Sequence, residues 1–332
     1  MAVGCWVSKA SCLLGSLRNS IPSSAYIEAM RLEYSNPFTA PGVWLKGNLH
    51  THTTESDGIR TPQEAVDLYR HHGYDFLSIT DHGVLVDVTA LDNRGMVMIP
   101  GQEISVGNSQ AGTPFHIVAA NIRGTLPLPD FDHAQDPQKA IDLTNEQGGF
   151  AIVVHPYWSG LHAQDLLRLS GYIGVDIYNS YCDVYRGIGF SSSHIDVLLA
   201  AGRRPLIFAT DDHHGVAEPM KPSDACRAWI MVKARDKTLR SIIDAIRRGL
   251  FYSSNGPTLN DIEVTSEGIH VESSPVRHIT FVSTPSMGSR FTAGERHITE
   301  YTYACRRGET YVRVEAADDE GRVAWSNALY VS

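Results

Sequence analysis

Histidines and carboxylates of this chain concentrate where predicted strands end. The segment Asn48-Leu49-His50-Thr51-His52 places two imidazoles at i and i+2, on the same side of a strand and able to bind one ion. Asp57 adds a carboxylate on the adjoining loop. Further candidate donors lie at or inside later predicted strands: His82, Glu103, His116, His155 and the run Asp211-Asp212-His213-His214.

These donors are nitrogen and oxygen atoms without a thiolate, which favours Mn, Fe or Zn in a multinuclear hydrolytic centre over a structural zinc site. The carboxylate of Glu103 can bridge two ions. A bound metal lowers the pKa of water from about 15.7 toward about 7, and the resulting hydroxide attacks phosphorus or an acyl carbon. We therefore expect no side-chain nucleophile. The last run contains two Asp-x-His pairs, Asp211 with His213 and Asp212 with His214.

Short apolar runs alternate with helical patterns through most of the chain. The runs interpreted as buried strands cover residues 43–49, 76–80, 96–100, 115–120, 150–154, 174–178, 206–210 and 228–232. Three helices are predicted. The first begins at the capping box Thr61-Pro62-Gln63-Glu64, the second covers 136–147, and the third has an apolar face over 239–246. This alternation predicts a mostly parallel sheet in a closed or distorted α/β barrel, whose strand ends meet on one face.

The pattern changes after Gly256-Pro257. Helical periodicity vanishes, and the segments 261–264, 278–282, 301–305 and 311–316 alternate in polarity between turn signals such as Glu320-Gly321. We expect residues 30–256 to form the barrel and residues 257–332 to form a small β-sandwich-like module. Residues 1–29 are interpreted as a flexible N-terminal extension.

Composition excludes several classes of protein. With 42% hydrophobic and 20% charged residues, the chain can bury a full core, which argues against disorder. The 28 Lys and Arg residues form no stripe and are outnumbered by 37 Asp and Glu, so we expect a small-molecule substrate rather than duplex nucleic acid. No apolar run approaches the roughly 20 residues of a membrane span. Five cysteines without CxxC spacing predict a reducing, cytoplasmic compartment.

Five motifs together resemble those of the PHP (polymerase and histidinol phosphatase) superfamily over about residues 31–255: GNLHTHTTESDG at 47–58, TDHG at 80–83, GQEIS at 101–105, VHPYW at 154–158 and TDDHH at 210–214. The segments WLKGNLHTHTT, GYDFLSITDHG and HPYWSGL, with the trailing β-module, resemble the CehA/McbA family of metallohydrolases. The resemblance implies a distorted (β/α)7 barrel with two or three divalent metals on its C-terminal face.

The resemblance also implies three ligand sets. The first consists of His50, His52, Glu103 and the acidic residue of the last motif. The second is bridged by Glu103 and completed by His116 and His155. The third uses Asp57, His82 and the last motif's histidine, with Asp57 standing where other members have histidine. The local family pattern favours Asp212 and His214 for the last motif, and the alternative register is Asp211 and His213.

Other residues are predicted to assist. Asp57 or the spare aspartate of the last motif could move a proton, and Asp176 at a strand end is a second candidate for proton transfer or for orienting a neighbour. Loops over the same face are expected to shape the substrate pocket through Tyr157, Trp158, Asn179, Arg186 and His194.

Three functions fit these patterns. The first is a phosphoesterase acting on a small phosphomonoester or phosphodiester, with an arginine such as Arg186 holding the phosphate. The second is a carbamate, ester or amide hydrolase of the CehA/McbA kind, for which the pair Tyr157-Trp158 suits an aryl leaving group. The third is a non-catalytic metal-binding module, which the retention of every ligand position opposes. The sequence leaves the oligomeric state open.

Overall fold

The computed structural model describes residues 32–215 and 223–331 of an α/β protein with one large sheet and few helices. The predicted N-terminal extension at 1–29 lies outside the described residues. The strands are Leu32–Glu33 (β1), Val43–Asn48 (β2), Phe76–Ile79 (β3), Val97–Val106 (β4), Phe115–Ala120 (β5), Phe150–Val153 (β6), Gly174–Asn179 (β7), Leu206–Thr210 (β8), Trp229–Ala234 (β9), Phe251–Ser254 (β10), Leu259–Thr265 (β11), Gly268–Val276 (β12), His278–Ser283 (β13), Gly288–Thr292 (β14), Ile298–Tyr303 (β15), Tyr311–Ala317 (β16), Val323–Ser326 (β17) and Leu329–Val331 (β18).

The described helices are short. They are Pro62–His71 (α1), Pro137–Glu146 (α2), Ala163–Leu167 (α3), Ser180–Arg186 (α4), Ser192–Ala200 (α5) and Leu239–Arg247 (α6), with a 3-10 turn at Val88–Ala90. The predicted capping box is confirmed, because the Thr61 hydroxyl accepts from the Glu64 amide and the Glu64 carboxylate accepts from the Thr61 amide. Across the described ranges, no helix has the length and apolarity needed to cross a membrane.

The main sheet follows the order β1-β18-β16-β17-β10-β9-β2-β3-β4-β5-β6-β7-β8, with β13 and β14 attached through β16. Among the described strands this pairing path is open, so the predicted closed or distorted barrel is not confirmed. Strands β2, β3 and β4 run parallel to one another, as do β6, β7 and β8. Strand β5 is antiparallel to β4, because residues 107–114 between them are too few for a helical crossover, and it is also antiparallel to β6.

Apolar strand residues form the core under the predicted ligand face. Strands β3, β5, β6 and β7 are buried along their whole length, as expected for strands covered on both faces. Helix α6 buries Ile242 and Ile246 against this core, on the apolar face that its sequence predicts. The result is a rigid support on which the strand ends carry polar side chains.

The C-terminal β-rich region is joined to the main sheet by hydrogen bonds, so a separate module is not confirmed. Strand β17 pairs with β10, and β18 pairs with both β16 and β1. The strands β11, β12 and β15 form a second, three-stranded sheet. Arg313 on β16 is 1% exposed and forms ion pairs with Asp196 of α5 and with Glu315. Strand pairing and a buried ion pair thus both fix this region to the rest of the protein.

Candidate metal centre

The chain beyond β2 and β8 continues as two adjacent extended segments. The amide of His52 donates to the carbonyl of His213 at 2.8 Å, and the amide of Asp212 donates to the carbonyl of His50 at 3.0 Å. Thr51, between the two histidines, accepts from the Thr80 amide at 2.8 Å and so connects this segment to the end of β3. Backbone hydrogen bonds therefore place residues that are far apart in sequence at one edge of the sheet.

Four donor atoms of the first ligand set face one another at the centre of this edge. His50 Nε2 lies 3.1 Å from His52 Nε2, 3.2 Å from Glu103 Oε2 and 3.1 Å from Asp212 Oδ1. Metal–ligand bonds of about 2.0–2.1 Å in a tetrahedral site put the ligand atoms about 3.3 Å apart. The Asp212 Oδ1 atom is buried and has no hydrogen-bond partner among the described residues. These donors fit a transition metal in both distance and type.

The second ligand set shares Glu103 with the first. Its other carboxylate oxygen, Oε1, lies 2.8 Å from His116 Nδ1 and 3.4 Å from His155 Nε2. The two oxygens of Glu103 therefore face different histidines. This is the arrangement that a carboxylate bridging two ions requires.

The third ligand set lies nearer to solvent. Asp57, whose side chain is 54% exposed, has Oδ2 at 3.4 Å from His214 Nε2 and at 3.9 Å from His82 Nε2. His52 Nδ1 lies 3.4 Å from the other oxygen of Asp57. The loop that carries Asp57 is held by Asp81, which accepts hydrogen bonds from the Thr53 amide and from the Ser56 hydroxyl. Asp57 and the two more buried histidines thus form a rim above the first two sets.

The two registers of the last motif have different surroundings. Asp212 and His214 belong to the first and third sets, as described above. Asp211 instead accepts from the Tyr69 hydroxyl at 2.8 Å and from three backbone amides at 226–228. His213 Nδ1 lies 2.6 Å from Asp224. The structure therefore brings Asp212 and His214 to the donor sets, whereas Asp211 and His213 support the backbone around them.

Charge keeps the two central carboxylates ionised. Burial alone would raise the pKa of Glu103, but His50, His82 and His116 hold it well below its usual range. Burial likewise opposes ionisation of Asp212, and His50 and His214 hold the pKa of that carboxyl well below its usual range. Two buried anions among neutral and protonated imidazoles attract a divalent cation, whose binding displaces protons.

The pKa values of two buried imidazoles shift in opposite directions. Against the effect of burial, the adjacent carboxylates of Asp212 and Glu103 raise the pKa of His52 well above its usual value. Burial lowers the pKa of His155, which favours its neutral form. A neutral imidazole is the form that binds metal, so His155 is ready to bind and His52 must first lose a proton.

Several residues without a signal of their own in the sequence support the ligands. Asp130 lies 3.3 Å from His82 Nδ1, and Asp224 holds His213. Single aspartates in loops are too common to be singled out from one sequence.

Asp176, predicted as a proton shuttle or orienting residue, is buried and accepts from the His155 amide at 3.2 Å and the Thr210 hydroxyl at 2.9 Å. Burial raises the pKa of Asp176 to about 8.

A cavity of about 460 Å³ opens above the donor sets. Of the predicted substrate residues, Trp158 lies in its wall, whereas Tyr157, Arg186 and His194 do not line its described part. Asn179 does not line the described part of the cavity either, and it donates to Asp212 Oδ2 at 3.3 Å. His194 instead contacts the backbone carbonyl of Leu161 at 2.8 Å. Two aromatic wall residues were missed by the sequence analysis, Phe131 and Tyr181.

No protein-family model matches the chain. An uncharacterized protein of Methanocaldococcus jannaschii is 24% identical over 149 residues, which cover 41% of this chain and 83% of that protein. A 5'-3' exoribonuclease of Haemophilus influenzae is 34% identical over 86 residues, covering 25% of this chain and 31% of that protein.

Among solved structures, the chain is similar to a two-domain protein of Bacteroides vulgatus described as containing a predicted PHP-like metal-dependent phosphoesterase. The two chains are 17% identical with a TM-score of 0.48, over 87% of this chain and 95% of the other. The resemblance to the CehA/McbA family stays a prediction.

Proposed function

We propose that this chain is a metal-dependent hydrolase of small phosphate esters. One observation carries the proposal: neighbouring donor sets are linked through a shared His52 or a shared Glu103, and each set has members that line a single cavity. A structural metal site is closed by its protein ligands, whereas these sets face a cavity in which a substrate can lie. The proposed ligands are His50, His52, Asp57, His82, Glu103, His116, His155, Asp212 and His214.

Divalent metals held by these residues would supply an activated water and would stabilise negative charge on the reacting group. Glu103 and Asp212 remain ionised and orient the surrounding imidazoles. The amide of Asn179 holds the second oxygen of Asp212, and Asp176 holds the backbone of His155. Asp57 lies at the exposed rim, where its carboxylate can accept a proton from water or pass one to the leaving group.

The second candidate function is hydrolysis of an aryl carbamate, ester or amide at the same centre. The cavity wall favours it through the rings of Trp158, Phe131 and Tyr181, which suit an aromatic leaving group. Attack on a carbonyl needs the same activated water and the same stabilised oxyanion as attack on phosphorus. The two reactions therefore differ in substrate rather than in the proposed machinery.

Release of p-nitrophenol by the Mn-reconstituted protein separates these functions. We expect turnover of p-nitrophenyl phosphate esters that stops on addition of a chelator and returns with Mn. Turnover of p-nitrophenyl acetate or an aryl carbamate alone would contradict the phosphoesterase proposal and favour the second candidate. Bound metal without turnover of any of these substrates would favour a non-catalytic metal-binding module.

A further inference from the structure

Three aromatic residues enclose the cavity, and each comes from a different part of the chain. Phe131 lies between β5 and α2, Trp158 follows β6, and Tyr181 begins α4. We call these three residues the aromatic wall. Their ring centroids lie close to those of proposed ligands: Phe131 to His82 5.1 Å, Trp158 to His155 5.1 Å and Tyr181 to His214 4.4 Å. A substrate bound at the ligands therefore lies close to these rings.

Phe131 is held in an unusual conformation. Its φ is 56°, in the left-handed region that bulky residues rarely adopt, and its side chain is 55% exposed. The preceding residue, Asp130, accepts a hydrogen bond from the Ser105 amide at 2.5 Å and lies 3.3 Å from His82 Nδ1. Backbone strain of this kind persists where the surrounding structure imposes it and is concentrated at functional sites.

The other two rings are fixed by backbone contacts with segments that carry ligands. Trp158 lies in a turn in which the Ser159 amide donates to the carbonyl of His155 at 3.1 Å. The amide of Tyr181 donates to the carbonyl of Asp211 at 3.0 Å. The main chain that carries these rings is therefore fixed relative to the ligands before substrate binds, which lowers the entropic cost of binding.

The proposed metals are the cationic groups that a phosphate would meet in the described part of this cavity. Its described lining includes the carboxylates of Asp57, Glu103 and Asp212 but no lysine or arginine. Sites for dianionic phosphate groups are commonly built with guanidinium groups that donate two hydrogen bonds at once. A phosphodiester carries a single negative charge and has a second substituent that can pack against apolar walls.

We propose that the cavity selects singly charged phosphodiesters bearing a planar aromatic group, with the aromatic wall as the specificity-determining element. This inference rests on the proposed phosphoesterase function. Water oxygen bonds to phosphorus and the bond from phosphorus to the leaving oxygen breaks. One water hydrogen goes to the leaving oxygen and the other stays on the new phosphate hydroxyl. The product is a phosphomonoester, which the same site turns over poorly.

Stoichiometry tests the charge selection. The Mn-reconstituted protein is incubated with bis(p-nitrophenyl) phosphate, and products are followed by absorbance and by phosphorus NMR. We expect one p-nitrophenol per substrate, with p-nitrophenyl phosphate accumulating. Release of two equivalents, or equal kcat/KM for the diester and the monoester, would overturn the inference while leaving the phosphoesterase function intact. Absence of turnover with both esters would contradict the proposed function itself.

Single substitutions test the aromatic wall. The p-nitrophenyl esters of phenylphosphonate and methylphosphonate carry the same charge and differ by one ring. For Phe131→Ala, Trp158→Ala and Tyr181→Ala we expect KM for the phenyl ester to rise about three- to tenfold with kcat little changed, and the preference for phenyl to shrink. Phe131→Leu, which keeps apolar volume without a flat ring, should lose part of the preference.

Tyr157→Ala is the matched control, because Tyr157 is 50% exposed in the same turn as Trp158 and does not line the described cavity. It should keep the wild-type preference. Bound Mn and the melting temperature show that each variant is folded and loaded. An unchanged preference in all three wall variants, or an equal change in Tyr157→Ala, would overturn the role of the wall.

Discussion

The edge of the main sheet that carries the proposed ligands, called here the ligand edge, differs from the C-terminal β-rich region in how completely its buried polar groups are paired. At the ligand edge, Asp212 Oδ1 is buried without a hydrogen-bond partner among the described residues. Two proposed ligands there, His155 and Asp212, also have left-handed φ values of 32° and 55°. In the C-terminal region, buried Arg313 is fully paired with carboxylates. Within 257–331, Ser286 is the described non-glycine residue with a positive φ.

This difference indicates that the ligand edge is adapted to function and the C-terminal region to stability. Left-handed backbone and unpaired buried oxygens cost free energy, and they persist at functional sites because the surrounding structure imposes them. At the ligand edge, this cost accompanies an arrangement in which the donor atoms converge. In the C-terminal region, buried Arg313 is paired with carboxylates, and this pairing contributes to stability. Substitutions in the two regions should therefore separate activity from stability.

The largest expected effect is the loss of activity in Glu103→Gln. Glutamine keeps the volume of Glu103 but cannot bridge two cations, so kcat/KM should fall by at least about a thousandfold. The metal-free variant should be as stable as the metal-free wild type or more so, because a buried charge is removed. Glu320→Gln, at a side chain that is 73% exposed, is the control and should retain activity. Full activity in Glu103→Gln would contradict the shared ligand.

The complementary substitution is Arg313→Ala in the C-terminal region. It removes the buried partner of the Asp196 and Glu315 carboxylates, which are 32% and 16% exposed, so the free energy of unfolding should fall by about 2–3 kcal/mol in denaturant titrations. Metal affinity should be unchanged. Arg322→Ala removes a pair whose arginine is 50% exposed, and it should cost about 1 kcal/mol or less. An equal decrease in the free energy of unfolding for the two variants would contradict the expectation that the buried arginine stabilises the protein more than the exposed one.

The sequence predicted the donors better than it predicted the sheet. His50, His52 and Asp57 lie within one motif, and strand periodicity indicates where each donor falls, so their meeting at one edge could be expected. The direction of β5 could not be predicted, because the expected strand 96–100 ended six residues before β4 does and so left a connection long enough for a crossover. The pairing of β17 with β10 is likewise a long-range contact without a local signal.

The residues of the cavity wall were harder to predict from the sequence than the convergence of the donor side chains. Trp158 follows a motif histidine closely and could be proposed from the sequence, whereas Phe131 and Tyr181 reach the cavity from other loops. Arg186 was expected to hold a phosphate, yet it does not line the described cavity, because α4 ends with Arg186 away from the helix start that carries Tyr181. Loop conformation, rather than residue type, decides which of these side chains meets a substrate.

A smaller effect is expected from Asn179→Ser. Serine still caps α4 as Asn179 does, but it is too short to hold Asp212. Metal affinity, measured by calorimetric titration, should fall about 10- to 100-fold. Asn179→Ala should weaken metal binding equally and also lose about 1 kcal/mol of stability, because the cap is gone. Wild-type metal affinity in both variants would show that Asn179 does not orient the ligand.

The smallest effect concerns a support of the ligand edge. Thr61→Ala removes the cap of α1, the helix that carries Tyr69 beneath Asp211, and should lower the free energy of unfolding by about 1 kcal/mol. Metal affinity should change less than about twofold, because the ligands themselves are untouched. Thr238→Ala, which removes the cap of α6, provides the comparison. A large loss of metal affinity in Thr61→Ala would show that the ligand edge depends on α1.

Metal stoichiometry tests the proposed centre most directly. Purified protein is stripped with a chelator, reconstituted with Mn, desalted and analysed by plasma emission spectrometry alongside Glu103→Ala. The three donor sets predict two or three Mn per wild-type chain, and at most one in the variant, because Glu103 belongs to two of the sets. Less than one Mn per wild-type chain, or the same stoichiometry in both proteins, would contradict a shared multinuclear centre.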